Sequence, residues 1–237
     1  MVANRSAAPY TFGLFAKALG MRMSVRSWSY TVLVSIAATF AVVQAPAAHA
    51  AGDAQKGKTL SYTCLGCHGI PNYKNVYPTY DVPKLVGQHP EYIVTALKAY
   101  RSGERSHGTM HAHAASLNDQ DMLDIATFLA GTPVASAGAG AKTVGTPPAA
   151  VATCQACHGR EGVGIMGIYP TLTGQHADYL EQSLKQYRSG ARRNAIMAPF
   201  AAQLKPEDLR VVAEYYAHQK PGLQTADRPN SVMSAKK

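Results

Sequence analysis

Two five-residue runs carry the chemistry of this sequence: Cys64-Leu65-Gly66-Cys67-His68 and Cys154-Gln155-Ala156-Cys157-His158. Together they use all four cysteines of the 237-residue chain. Two thiols three positions apart near a helix end can meet the two vinyl groups on one edge of a porphyrin, and the histidine that follows can turn its imidazole onto the iron. In an exported protein this spacing reads as c-type haem attachment. The other chemistries of a Cys-x-x-Cys fit less well. A zinc ribbon needs its two pairs about 15 to 20 residues apart, whereas 86 residues separate Cys67 from Cys154. A thioredoxin-like redox pair needs a βαβ setting, and structural disulfides give no reason for a histidine after each pair. The expected cofactors are two covalently attached haem c groups, one on Cys64 and Cys67 and one on Cys154 and Cys157, with His68 and His158 as the first axial ligands.

The second axial ligand decides between electron transfer and catalysis. Methionine opposite histidine raises the reduction potential and closes the iron to exogenous ligands, which suits a carrier. Met110 and Met197 hold the same position in an internal repeat, in what reads as an irregular segment between two helices, and are the expected ligands. An isolated methionine is more often core filler; the in-register recurrence argues against that here. His111 and His113 remain alternatives to Met110, and Met166 is a rival to Met197. A ligating histidine also needs an acceptor for its other ring N–H, for which the carbonyls of Pro83 and Pro170 are candidates. Tyr92, Tyr100, Tyr179 and Tyr187 read as haem-wall or interhelical packing. Arg101 and Arg188 read as contacts to haem propionates or as solvated helix ends, and His89 and His176 as residues near helix N-termini.

The elements that must position these residues come as two copies. At an offset of 87, Gly87-Gln88-His89 falls on Gly174-Gln175-His176, Tyr100-Arg101-Ser102-Gly103 on Tyr187-Arg188-Ser189-Gly190, and Met110 on Met197. The two cysteine motifs align at an offset of 90, so the first copy holds three extra residues between the blocks. Ile93, Leu97 and Tyr100 lie at helical spacing, as do Leu180, Leu184 and Tyr187, with Gly103 and Gly190 at the ends. A last helix starts near the N-cap Asn118 and presents Met122, Ile125, Ala126 and Leu129 on one face. Its counterpart presents Leu209, Val212, Ala213 and Tyr216 behind Pro206 at the first helical position. Asp53 caps an opening helix, while Pro147-Pro148 shortens the equivalent one. No strand pattern is convincing. The expected organisation is a targeting segment over 1–50, a first domain over 51–131, an Ala/Gly/Pro-rich linker over 132–150, a second domain over 151–220 and a polar tail over 221–237. Domains this small are marginal on a bare core, and a covalent centre commonly supplies the rest.

Composition agrees with export and excludes one function class. Arg22 and Arg26 precede an apolar run of 14 residues, Tyr30 to Val43, followed by Ala48-His49-Ala50. This is a signal-peptide pattern with the cut expected after Ala50, short of the roughly 20 apolar residues of a membrane span. Residues 1–20 add nothing to the signal, and Met21 or Met23 would start one of ordinary length. The formal charge of +9 rests on 23 bases and 14 acids; removing the four bases of residues 1–50 leaves 19 against 14, a net of +5. With no clustered Lys/Arg run beyond Arg192-Arg193 and Lys236-Lys237, a nucleic-acid partner is excluded.

Two units with Cys-x-x-Cys-His-Gly, Pro-x-Leu-x-Gly-Gln, a Tyr-x-Ser-Gly helix end and a downstream methionine resemble the dihaem class I c-type cytochromes, closest to the cytochrome c4 group, over nearly all of 51–220. The resemblance implies an all-α fold of two tandem cytochrome c domains related by a pseudo-twofold, each wrapped around one covalent haem. It also implies His68 with Met110 on one iron and His158 with Met197 on the other. Such proteins look like periplasmic carriers, soluble or held at a membrane surface, that take electrons from a dehydrogenase or bc-type complex toward a haem-copper terminal oxidase in a respiratory chain. The alternatives are a cytochrome subunit of a periplasmic dehydrogenase, or a dihaem enzyme such as a peroxidase or thiosulfate-oxidising cytochrome.

Overall fold

The first repeat opens with a helix whose start is fixed by a single side chain. Asp53 Oδ1 accepts from Gln55 N at 2.8 Å and Lys56 N at 3.1 Å, satisfying two of the donors that a helix start leaves unpaired. The computed structural model describes residues 51–135 and 143–228. In the first repeat, α1 (Ala54–Leu60) is followed by α2 (Leu65–His68), which carries the haem motif, then α3 (Pro90–Ser102), α4 (Gly108–Ala115) and α5 (Asp119–Ala130). The second repeat has a single turn of 3-10 helix (Ala149–Val151) in place of α1. It continues with α6 (Gln155–His158), α7 (Ala177–Ser189), α8 (Met197–Gln203) and α9 (Pro206–Ala217). Pairing between extended segments is limited, among the described residues, to isolated bridges. The fold is therefore helical, as the periodicity predicts.

Two features of the helix ends follow directly from sequence. α5 begins with a reciprocal capping box between Asn118 and Asp121. α3 and α7 both stop at a glycine with positive φ, Gly103 at 75° and Gly190 at 77°, where a side chain would be strained.

Each core is a small cluster under a terminal helix. In α5, Met122, Ile125, Ala126 and Leu129 are at most 3% exposed, and each of the larger side chains contributes roughly 1.5–3 kcal/mol by leaving water. α5 packs on α1 and α3. In the second repeat Leu209, Val212, Ala213 and Tyr216 of α9 play the same part against α7. The pairing of α1 with α5 has no full equivalent there. Asp124, which anchors α1, aligns with Val211, and Val211 is left exposed on α9, where no helix among the described residues covers it.

The described residues cluster as one body, and the two repeats interlock across it through symmetric bonds. Gln88 donates from Nε2 to Thr171 O (3.0 Å) and accepts from Thr171 N (2.8 Å). At the same repeat positions, Gln175 donates to Lys84 O (3.0 Å) and accepts from Lys84 N (2.9 Å). Ser106 N donates to Ala191 O at 2.8 Å, and its counterpart Arg193 N donates to Glu104 O at 2.6 Å. These reciprocal pairs are the signature of a pseudo-twofold interface. The stretch read as a polar tail runs back along it: Val86 and Gln224 exchange backbone bonds, Leu223 N donates to Thr173 O, and Ala226 N reaches His68 O. Gly222 and Gly174 pass so closely that a Cβ on either would lie 2.6 Å from the other's Cα.

Candidate haem sites

The haem motifs occupy corresponding places in the two repeats. Cys64 and Cys154 each stand at the N-terminus of a four-residue helix whose last residue is the motif histidine. One turn of helix thus sets both thiols and the imidazole around a common space, a demand that three-residue spacing meets. All six residues line one cavity of about 1230 Å³ that runs through both repeats. Burial pushes the Cys64 and Cys154 thiols above their ordinary range, as expected of sulfurs that sit against an apolar wall.

His68 and His158 are 8% and 5% exposed. His68 Nδ1 lies 2.9 Å from Pro83 O, and His158 Nδ1 lies 2.9 Å from Pro170 O. A carbonyl can only accept, so the proton is on Nδ1, and Nε2 keeps its lone pair for a ligand. Burial also holds both imidazoles below the usual histidine range, opposed by the proline carbonyls, which favours the neutral, metal-binding form. The proline carbonyls were legible in the sequence and stand where expected.

Met110 and Met197 both line the cavity, each half-buried. The segments that hold them are not irregular, as the sequence reading had them. Met110 is on α4, whose start His107 caps, and Met197 opens α8 behind a turn in which Asn194 Oδ1 accepts from Ile196 N and Met197 N. Of the rivals, His111 lies off the cavity with its ring donating to Tyr100 O at 2.8 Å, and Met166 is exposed and also off it. His113 lines the cavity with Met110. Arg101 is not turned to the cavity: it donates to Leu117 O at 2.9 Å and pairs with Asp119 at 2.7 Å. His89 and His176 stand at the N-caps of α3 and α7, and His89 Nε2 meets Gly164 O at 3.0 Å across the interface.

The cavity fits the cofactor that the motifs demand. It places two thiols and one uncommitted imidazole nitrogen at each end, and the buried hydroxyl of Thr171 on its wall has no partner among the described residues. The comparisons agree. Residues 54–133 match the family model described as Cytochrome c, and residues 148–215 the one described as Cytochrome C oxidase, cbb3-type, subunit III. The chain is 35% identical to cytochrome c4 of Thiocapsa roseopersicina over 71% of its own length and 94% of the relative. It belongs to the cytochrome c4 family. The fold of two tandem cytochrome c domains and two covalent haem c groups, on Cys64 with Cys67 and Cys154 with Cys157, follows. A crystal structure of reduced recombinant cytochrome c4 from Pseudomonas stutzeri aligns with a TM-score of 0.55 at 28% identity, covering 73% of this chain and all of that one. A further relative, from Stutzerimonas stutzeri, is named thiosulfate dehydrogenase electron acceptor and is 31% identical over 78% of this chain and 93% of its own. Such c4-like proteins are dihaem electron carriers with redox proteins as partners. Among the described residues, no helix is long and apolar enough to cross a membrane.

Proposed function

We propose that this cytochrome is a periplasmic electron carrier in which His68 and Met110 ligate one haem iron and His158 and Met197 the other. The observation that carries the reading is the repeated geometry: in both copies a proline carbonyl fixes the histidine tautomer, and a methionine whose amide is held by the side chain three residues upstream lines the same cavity. Each haem, so ligated, supplies one-electron ferric/ferrous chemistry with the iron closed to small ligands. The protein's part is to attach, orient and bury. It has no assigned catalytic residue. Residues 1–50, outside the described residues, act as an export signal cut after Ala50, with 51–131 and 151–220 as the two domains, 132–150 as the linker and 221–237 as the tail.

Partners bind briefly at exposed haem edges, through small interfaces of the redox type. A dehydrogenase or bc-type complex donates, and a haem-copper terminal oxidase accepts. The relative from Stutzerimonas stutzeri favours a second reading, in which the donor is a thiosulfate-oxidising dehydrogenase; the chemistry asked of this chain is the same. The test is the absorption spectrum of the dithionite-reduced protein with and without carbon monoxide, with a haem count. Two haems per chain and no shift are expected. A shift on half of the haem would mean one open iron and an enzymatic role.

A further inference from the structure

Arg105 and Arg192 occupy the same repeat position, line the cavity, and are 5% and 7% exposed. A buried guanidinium requires an anion, because its charge is costly to hold away from water unpaired. No carboxylate lies within 4.0 Å of either among the described residues. The nearby acids of the interface are otherwise engaged: Lys74 holds Asp81 at 2.9 Å and Asp178 at 3.2 Å. What each arginine does have is aromatic. Arg105 lies 4.4 Å from the ring centroid of Tyr100, and Arg192 lies 4.5 Å from that of Tyr187, both in their own repeats. Their donated bonds cross over: Arg105 Nη2 to Tyr179 Oη and Arg192 Nη2 to Tyr92 Oη, each at 2.5 Å. The two residues also form the antiparallel backbone bridge at the interface.

We propose that Arg105 and Arg192 are the counter-charges of the haem propionates and that, through these crossed tyrosine bonds, the reduction potential of each haem is set partly by the opposite repeat. Haem c carries two carboxylates, and the cavity wall is where those carboxylates and the arginines can meet. Tyr179 feels the same two guanidiniums. Burial pushes its phenol up, yet the guanidiniums of Arg105 and Arg192 outweigh burial and bring it down to about 8. The inference rests on two haems in this cavity and not on which side chains ligate them.

The experiment is a spectroelectrochemical titration of the holoprotein, with the two potentials assigned by following the haem methyl resonances. Arg105→Met removes a positive charge that favours the ferrous form, so the potential of haem one should fall by about tenfold in the reduction equilibrium, ~59 mV for one electron. Arg105→Lys keeps the charge and should restore most of it. Tyr179→Phe, although in the second repeat, should move haem one more than haem two, and Tyr92→Phe the reverse. Potentials that stay fixed in Arg105→Met with haem content retained would overturn the proposal. So would a Tyr179→Phe effect confined to haem two, or potentials that track added chloride and so place a solvent anion at the guanidiniums. None of these changes should open either iron to carbon monoxide, which keeps failure here distinct from failure of the ligand assignment.

Discussion

His107 and Asn194 hold the same repeat position and do the same work with different chemistry. His107 Nδ1 accepts from Met110 N at 3.3 Å, and Asn194 Oδ1 accepts from Met197 N at 2.9 Å. Each therefore ties down the backbone that presents the methionine, His107 as the cap of α4 and Asn194 in the turn that leads into α8. In His107 the proton must sit on Nε2, which meets Asn75 Oδ1 at 3.1 Å. Replacing His107 with Ala should cost about 0.5–2 kcal/mol, the usual range for a lost N-cap. The loss should show first at the methionine: during denaturant titration, the sulfur-to-iron charge-transfer band of haem one should vanish before the global transition. His107→Asn, which copies the second repeat, should restore both.

Substituting the methionines tests the ligand set one iron at a time. Met197→Ala should open haem two, giving a carbon monoxide shift on half of the haem while haem one is unchanged, and unchanged spectra would remove Met197 as a ligand. Met110→Ala should give the same on the other half. His113 lines the cavity beside Met110, so a bis-histidine spectrum in Met110→Ala, with carbon monoxide excluded, would identify it as the residue that takes the vacant position. Adding His113→Ala should then admit carbon monoxide.

These sites were readable because covalent haem attachment fixes spacing in the chain itself: Cys64, Cys67 and His68 are neighbours, and Pro83 falls in register with Pro170. The helices α3, α5, α7 and α9 were readable for a similar reason, since their apolar stripes and caps are local. What spacing could not reveal was contact between repeats. Spacing points to Arg101 and Arg188 and not to Arg105 and Arg192, because which of two nearby arginines faces the cavity depends on how the chain turns after Gly103 or Gly190. The methionine segments lacked a helical pattern because their helices are short and have little buried surface, Ala114 and Ala201 being the buried residues of α4 and α8. Their starts are held by His107, the cap of α4, and by Asn194 in the turn before α8, and a histidine is an unusual cap.

Asp124 should make the first repeat sensitive to acid through a contact that Val211 cannot make in the second. Its carboxylate is 1% exposed and accepts from Asp53 N at 2.9 Å and Gln120 Nε2 at 2.7 Å, with Lys56 Nζ at 3.0 Å. The Asp53 N–H above all, then Lys56 and Gln120, hold it below its ordinary value of 3.8. A depressed folded-state value means that this stabilisation is complete above the ordinary carboxylate range and is lost as pH falls through the lower folded value. Asp124→Asn should flatten the dependence of stability on pH below 3.8 and detach α1 from α5, read as faster amide exchange in α1. Val211 stands at the corresponding place in the second repeat, so exchange in α9 should not respond to acid in this way.

Gln88 and Gln175 join the two repeats by amide-to-backbone pairs that leave no substitute if removed. Both side chains are 4% exposed. Gln88→Ala strands the N–H and C=O of buried Thr171, and each stranded group costs about 1–3 kcal/mol; Gln175→Ala does the same to Lys84, whose partly buried backbone is nearer to water. The Gln88 variant should therefore be the more damaging of the two. Because the pairs lie between the repeats and not within either core, the expected effect is a loss of coupling. Wild-type protein should unfold in one denaturant transition monitored at both haems, while Gln88→Ala should separate it into two. If the double variant costs no more than Gln88→Ala alone, losing one pair already releases the interface and the two pairs act as a unit. A sum of the two single costs would mean that the pairs act independently.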